Sequence, residues 1–284
     1  MIVTHTIAET RTARAQLGKV AFVPTMGALH AGHLSLMQLA KETAENVVAS
    51  IFVNPTQFGP KEDLTKYPRP IELDLERCRT AGVDLVFNPA PEEIYRPGLA
   101  KVNLDLPELT TVLEGKHRPG HFNGVCQVVA KLLNIVQPQY AVFGQKDFQQ
   151  LRIIWSMVET LDFPIEILPG PTVREADGLA MSSRNQYLSP DERQRALSIP
   201  RALKLAGEQV RQGIKQTNRL IATMQNTLLD PGDLGRVPMS IDYVAAVDPV
   251  TLRPIELVQG LTVLAIAARV GTTRLIDNLI VGGV

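Results

Sequence analysis

Val20-Ala21-Phe22-Val23-Pro24-Thr25-Met26-Gly27-Ala28-Leu29-His30-Ala31-Gly32-His33 is the stretch whose reading settles the architecture. Four apolar residues, Val20 to Val23, form a strand-sized run, a glycine-containing turn follows, and a helical pattern begins near Ala31. In an open α/β sheet, ligands bind beyond the carboxyl ends of the strands. A helix start at that place presents unsatisfied N–H groups and a partial positive charge, both suited to phosphate. Gly27 and Gly32 permit close approach of backbone and ligand, and His30 and His33 are spaced to share one face of the first helical turn. Neither G-x-G-x-x-G nor a Walker P-loop is present, which counts against ordinary dinucleotide and P-loop nucleotide binding.

Outward from this stretch the same grammar repeats. Val47 to Val53, Asp84-Leu85-Val86-Phe87, Tyr140-Ala141-Val142-Phe143 and Ile165-Glu166-Ile167-Leu168 are further strand candidates, separated by helix-length segments. Near-continuous apolar strands of this kind predict a doubly wound α/β domain, a parallel sheet covered on both faces. Val125, Val128, Val129, Leu132, Leu133 and Val136 make one apolar helical stripe, with Pro138 just past its end. The spacing predicts a first domain over residues 1–172 and a smaller α+β domain over 173–284. The second domain opens with a helix start at Ser189-Pro190-Asp191-Glu192. Helical patterns run on to about Leu229, with breaks expected at Pro200 and near Gly213, and Asp230-Pro231-Gly232-Asp233 reads as a turn. Strands over Ile241 to Val247, Thr262 to Arg269 and Thr273 to Ile280 complete an antiparallel sheet, the last two joined as a hairpin through Val270-Gly271-Thr272.

Composition narrows the function classes. Among 284 residues, 29 Lys plus Arg balance 29 Asp plus Glu. A chain whose main partner is nucleic acid needs an excess of Lys and Arg, so that role is not expected. Cys78 and Cys126 have no metal-ligand spacing and make no disulfide framework. No apolar run approaches the about 20 residues of a membrane span, and the N-terminus lacks the pattern of a secretory signal. A cytoplasmic protein with no membrane partner is expected.

Chemistry-bearing residues gather at the predicted strand ends. Asn54 and Gln57 follow the second strand candidate, and neutral amides there suit hydroxyl and carboxylate recognition. Asn54-Pro55 also reads simply as a turn. The segment Gly59 to Pro70 is polar with prolines at both ends, as expected of a lid that excludes water. Lys146 and Asp147 follow the strand ending at Phe143. Lys146 offers a charge for phosphate, while Asp147 suits either a ribose hydroxyl or a helix cap. Gln150 lies one helical turn further on. Met181-Ser182-Ser183-Arg184-Asn185 puts two hydroxyls and a guanidinium in one loop, a set suited to β- and γ-phosphates. Four of the five histidines fall in two pairs, His30/His33 and His117/His121, which also admit a zinc or a purely structural reading. No cysteine or H-E-x-x-H pattern supports zinc.

Taken together, Pro24 to Gly27 with His30 to His33, Asn54-Pro55 with Gln57-Phe58, Arg118-Pro119-Gly120-His121-Phe122, Gly144 to Gln150 and Ser182 to Asn185 resemble the pantoate–β-alanine ligase (pantothenate synthetase) family. That family lies within the H-x-G-H nucleotidyltransferases of Rossmann-like fold. Arg274-Leu275-Ile276-Asp277-Asn278 resembles the family's terminal block. The resemblance implies an ATP-dependent condensation of (R)-pantoate with β-alanine through a pantoyl adenylate, releasing pyrophosphate and AMP, by a homodimer with Mg2+. It implies that Met26, Gly27, Ala28, Leu29, His30, Ala31, Gly32 and His33 hold ATP, with His33 as proton donor and His30 and Lys146 as its catalytic companions. Gly144, Gln145, Lys146, Asp147, Val173, Met181, Ser182, Ser183 and Arg184 complete the nucleotide set, Val173 through its backbone. Gln57, Gln150 and Asn54 bind substrate, with Gln57 meeting both pantoate and β-alanine. No metal ligands stand out. Two rivals remain at this stage: a nucleotidyltransferase acting on a phosphorylated acceptor, and a catalytically silent nucleotide-binding scaffold.

Overall fold

The computed structural model describes residues 1–59, 64–100, 102–230, 232–234 and 237–283. In chain order the elements are β1 (Ile2–Thr4), α1 (Ile7–Arg14), β2 (Val20–Thr25), α2 (Ala31–Thr43), β3 (Asn46–Ile51), α3 (Ile71–Thr80), β4 (Leu85–Phe87), α4 (Pro91–Ile94), α5 (Pro107–Thr110) and α6 (Glu114–His117). There follow α7 (His121–Val136), β5 (Tyr140–Gly144), α8 (Phe148–Thr160), β6 (Glu166–Gly170), α9 (Pro190–Ala196), α10 (Ser198–Arg211), α11 (Thr217–Leu229), β7 (Met239–Val247), β8 (Thr262–Val270) and β9 (Thr273–Val281). The chain forms two compact units. One comprises Met1–Thr111, Arg118–Gln145 and Gln150–Pro171, the other Val112–His117, Lys146–Gln149 and Thr172–Val284.

The first unit carries a six-stranded parallel sheet in the order β1-β4-β3-β2-β5-β6. Val20, Ala21, Phe22 and Val23 are completely buried, as a central parallel strand with helices on both faces requires. Strand order reverses between β2 and β5, which pair directly. That is the switch point at which a doubly wound sheet opens a crevice for ligands. The β2–α2 turn and Gly144, at the end of β5, therefore stand at the ligand-binding edge. The strand β1 escapes the sequence reading because it is a three-residue edge strand with Ile2 half exposed. α7 begins at His121, four residues before its apolar stripe. It ends on Gln137 in the left-handed region (φ 48°), with Pro138 beyond.

The second unit has an antiparallel sheet, β7-β8-β9, packed on α9 to α11. Leu203, Leu220, Met224, Leu264 and Ile266 are in its core. The Ser189 start carries a full capping box with Glu192. The break expected at Pro200 falls instead at Leu197, between α9 and α10. Pro200 lies in the first turn of α10, where its missing N–H has no intrahelical partner to lose. α10 ends at Arg211, just before Gly213, whose φ is +91°. Residue 231 of the expected turn lies outside the described residues. No helix among the described residues is long and apolar enough to cross a membrane.

Candidate active site

Two consecutive residues of the turn after β2, Gly27 (φ 78°) and Ala28 (φ 50°), are in the left-handed region. An L-residue such as Ala28 pays roughly 1–2 kcal/mol for that conformation, so something must hold it. The holder is Asp74 on α3. Its Oδ2 accepts from the Ala28 N–H and its Oδ1 from the Leu29 N–H, both at 2.8 Å. Arg77, one turn on, donates to the Leu29 carbonyl. Thr25 Oγ1 accepts from Gly27 N–H and donates to the Ser50 carbonyl. A Cβ on Gly27 would come 2.9 Å from Asp74 Oδ2 and 3.1 Å from Ile51 Cγ2, so glycine is required there for space as well as for φ. Asp74 is 1% exposed. Asp74→Asn should lower unfolding stability by about 1–3 kcal/mol, because one of the two N–H groups then meets an amide donor in a buried site. Denaturant unfolding measures this, and an unchanged midpoint would show that the carboxylate does not hold the turn.

The histidines start α2 in an unusual way. His30 is the cap residue, and its Nδ1 accepts from Gly32 N–H at 3.2 Å. His33 reaches back, its Nδ1 accepting from His30 N–H at 3.2 Å. The two imidazoles thus play the parts that Ser and Glu play in an ordinary capping box. The geometry also sets the tautomer: a ring whose Nδ1 accepts carries, when neutral, its proton on Nε2. With ring centroids 4.1 Å apart, residues 30 and 33 form a pair of Nε2–H donors at a helix N-terminus.

Gln57 sits in the 3-10 turn Pro55–Gln57, where the loop after β3 meets α7. Gly124 makes the contact possible, since a Cβ there would lie 2.5 Å from the Thr56 carbonyl oxygen. Asn54, 1% exposed, donates from Nδ2 to Gln57 Oε1 and to the Gly124 carbonyl, both at 3.1 Å. Its Oδ1 accepts from Tyr95 at 2.7 Å and from Thr56 Oγ1 at 3.0 Å. The Asn54 side chain is thus spent on protein groups, and its effect is to orient the Gln57 amide. Gln57 Nε2 donates to Met26 Sδ at 3.0 Å, which brings the predicted substrate amide onto the predicted nucleotide turn. The main chain of Gln57 is fixed by His121. Arg118 Nη1 donates to His121 Nε2 at 3.0 Å, so His121 Nδ1–H donates to the Gln57 carbonyl at 2.7 Å. His121 therefore works as a positioning group in the first unit, while His117 belongs to the second, with its ring 5.9 Å from Tyr243.

Gly144 ends β5, Gln145 opens the next 3-10 turn, and Gln150 is half-buried on α8. The other predicted nucleotide contacts lie in the second unit. Lys146 Nζ is 3.8 Å from Asp147 Oδ2, its side chain 20% exposed. Val173 O accepts from Met181 N–H at 3.0 Å, next to a bridge between Arg174 and Ala180. This brings Val173 beside the Met181–Arg184 loop. Ser182 Oγ accepts from Arg184 N–H at 3.2 Å, capping the 3-10 turn Ser183–Tyr187. Residues 60–63 of the expected lid segment lie outside the described residues. Sequence reasoning missed Asp74, Arg77 and Tyr95, which reach the site across 41 or more residues of chain and carry no local signal. Cys78 and Cys126 are free, and burial pushes both thiols up to about 12, which leaves them poor nucleophiles.

Residues 2–280 match the family model for pantoate-beta-alanine ligase. A pantothenate synthetase of Pelotomaculum thermopropionicum is 48% identical over 99% of each chain. The crystal structure of pantothenate synthetase from Thermus thermophilus superposes with a TM-score of 0.92 at 45% identity, covering 98% of this chain and 99% of that one. A Francisella tularensis pantoate-beta-alanine ligase, solved with beta-gamma ATP and beta-alanine, superposes with a TM-score of 0.79 at 32% identity, covering 99% of this chain and 97% of that one.

Proposed function

The chain belongs to the pantoate-beta-alanine ligase family, and from that premise we propose that its ATP-dependent condensation of pantoate with β-alanine runs through a pantoyl adenylate. The observation that carries this reading is the pair of Nε2–H donors at residues 30 and 33, on a helix N-terminus at the sheet's switch point. A carboxylate is a poor acyl donor because an oxide would have to leave. In the first step the pantoate carboxylate attacks the α-phosphorus and pyrophosphate departs. Charge builds on the leaving phosphates, and the His30 and His33 donors and the Lys146 ammonium stabilise it, with His33 as proton donor. In the second step the β-alanine amine attacks the activated carbonyl, the C–N bond forms, and AMP leaves with the pair of electrons from the acyl C–O bond.

Gln57 and Gln150 take the pantoate hydroxyl and carboxylate groups in this reading, and Gln57 also meets β-alanine. Asn54 serves by holding the Gln57 amide. Met26 to Ala31 and Gly32 supply backbone contacts to ATP. Gly144, Gln145, Asp147, Val173, Met181, Ser182, Ser183 and Arg184 supply the rest. Residues 1–172 act as the nucleotide and pantoate domain and 173–284 as a smaller lid domain.

Among the described residues no group of three or more His, Cys, Asp or Glu converges. A Mg2+ carried on the triphosphate would need only one or two protein carboxylates, for which Asp147, beside Lys146, is the candidate. When bound, such an ion would neutralise phosphate charge. Free, buried cysteines suit a reducing cytoplasm, and assembly as a homodimer rests on family resemblance.

The reading is tested by product analysis. With ATP, D-pantoate and β-alanine, AMP, pyrophosphate and pantothenate should form in equal amounts, and pantoate alone should support ATP–pyrophosphate exchange. Nucleotide transfer to an acceptor without AMP, or ATP binding without turnover, would overturn it.

A further inference from the structure

Arg274-Leu275-Ile276-Asp277-Asn278 on β9 has no task in the two-step reaction. Within the second unit two of its three polar side chains, Asp277 and Asn278, reach segments assigned to the nucleotide, and Arg274 is linked to one through Glu114. Asn278 Nδ2 donates to the Lys146 carbonyl at 2.8 Å. Both Asp277 oxygens accept from Arg174, at 2.6 and 3.0 Å. Arg174 follows Val173 directly, and its backbone bridges Ala180, just before Met181. Arg274 binds both oxygens of Glu114 at 2.5 and 2.8 Å and Asp242 at 2.6 Å. The Glu114 N–H in turn donates to Gln149 Oε1 at 2.9 Å, which ties down the chain just beyond Lys146 and Asp147.

These groups are buried: Asp277 is 4% exposed, Asn278 8% and Glu114 7%. Burial works against the Arg274 charge, yet Glu114 and Asp242 outweigh it and hold the guanidinium pKa above its ordinary value. Tyr243, donating to Glu114 at 2.9 Å, is raised well above a normal phenol by burial first and by the Glu114 charge second. A strand that commits a buried amide, a buried carboxylate and a largely buried guanidinium to three short segments specifies where those segments lie.

We propose that β9 sets the position of the second unit's nucleotide contacts, with Asn278 as the positioning residue for Lys146. The proposal rests on the reading that Lys146 contacts the triphosphate. A main-chain carbonyl held by a rigid strand fixes the direction in which the Lys146 side chain leaves the backbone. A misplacement of about 1 Å is enough to cost on the order of 100-fold in rate.

The test is a double-mutant cycle read by pantoate-dependent ATP–pyrophosphate exchange. Asn278→Ala should lower the exchange rate about 10–100-fold and leave the KM for pantoate, bound through the first unit, unchanged. In a Lys146→Ala background it should cause no further loss, because the group it positions is gone. A merely structural role would lower activity by the same factor in both backgrounds, or only lower the amount of folded protein, and either result overturns the proposal. Asn278→Asp, which keeps the shape and removes the donor, serves the same comparison if the alanine variant does not accumulate. If Lys146→Ala alone leaves exchange intact, the assignment of Lys146 fails and this proposal with it. If Lys146→Ala is damaging and the effects multiply, only the role of Asn278 fails.

Discussion

His33→Asn should lower pantoate-dependent ATP–pyrophosphate exchange about 100–1000-fold while leaving the unfolding midpoint near that of the parent protein. The outcome turns on which nitrogen does what. His33 Nδ1 caps the helix by accepting from His30 N–H, and the asparagine Oδ1 falls close to that position, so the cap survives. What asparagine lacks is the more distant Nε2–H. A preorganised donor aimed at developing charge is worth about 2.7–4 kcal/mol, whereas a helix dipole at an exposed terminus offers about 0.3–1 kcal/mol. If the helix end alone held the phosphates, the variant would retain most of its activity. His33→Ala should lose the same rate and, in addition, about 1 kcal/mol of stability with the cap. A folded His33→Asn protein with undiminished exchange would remove His33 from the chemistry.

How far the sequence is legible depends on whether the deciding force is local. β2, β3 and β5 are long buried runs, and their hydrophobic continuity announces a covered parallel sheet. The Ser189 capping box and the Gly271-Thr272 hairpin are local chemistry, legible for the same reason. β1 is not legible, because three residues at a sheet edge leave no periodicity. The break before α10 lies three residues ahead of the proline expected to cause it, because proline is disruptive inside a helix but harmless in its first turn. The site divides along the same line. His30 and His33 are three apart and declare themselves. Asp74, which holds the Ala28 and Leu29 amides from 46 and 45 residues away, does not. Asn54 is legible as polar and close to the site, but only its four partners reveal that it serves Gln57. Segments Val112–His117 and Lys146–Gln149 join the second unit through the Glu114–Arg274 pair and the Lys146–Asn278 hydrogen bond, and their own composition says nothing of it.

Lys146→Ala should reduce adenylate formation about 100–1000-fold and spare the second half-reaction. In the structure the ammonium lies 3.8 Å from Asp147, on a side chain 20% exposed, while the Asp147 side chain is 49% exposed. A pair so open to solvent contributes about 0–1 kcal/mol, so its loss should barely move the unfolding curve. Lys146→Arg is not a conservative replacement here. Arginine spreads its charge over a planar fork, while lysine presents a compact point charge, so partial recovery, within about tenfold of the alanine variant, is the expected result. The separation of half-reactions is the sharper measurement. Charge on the departing pyrophosphate exists only while the adenylate is being made. When synthetic pantoyl adenylate and β-alanine are supplied directly, the variant should release AMP at within about tenfold of the parent rate, because that step builds no charge on β- and γ-phosphates. Equal losses in both half-reactions would mean that Lys146 supports the nucleotide monophosphate or the fold of its loop, and the pyrophosphate role would have to be withdrawn.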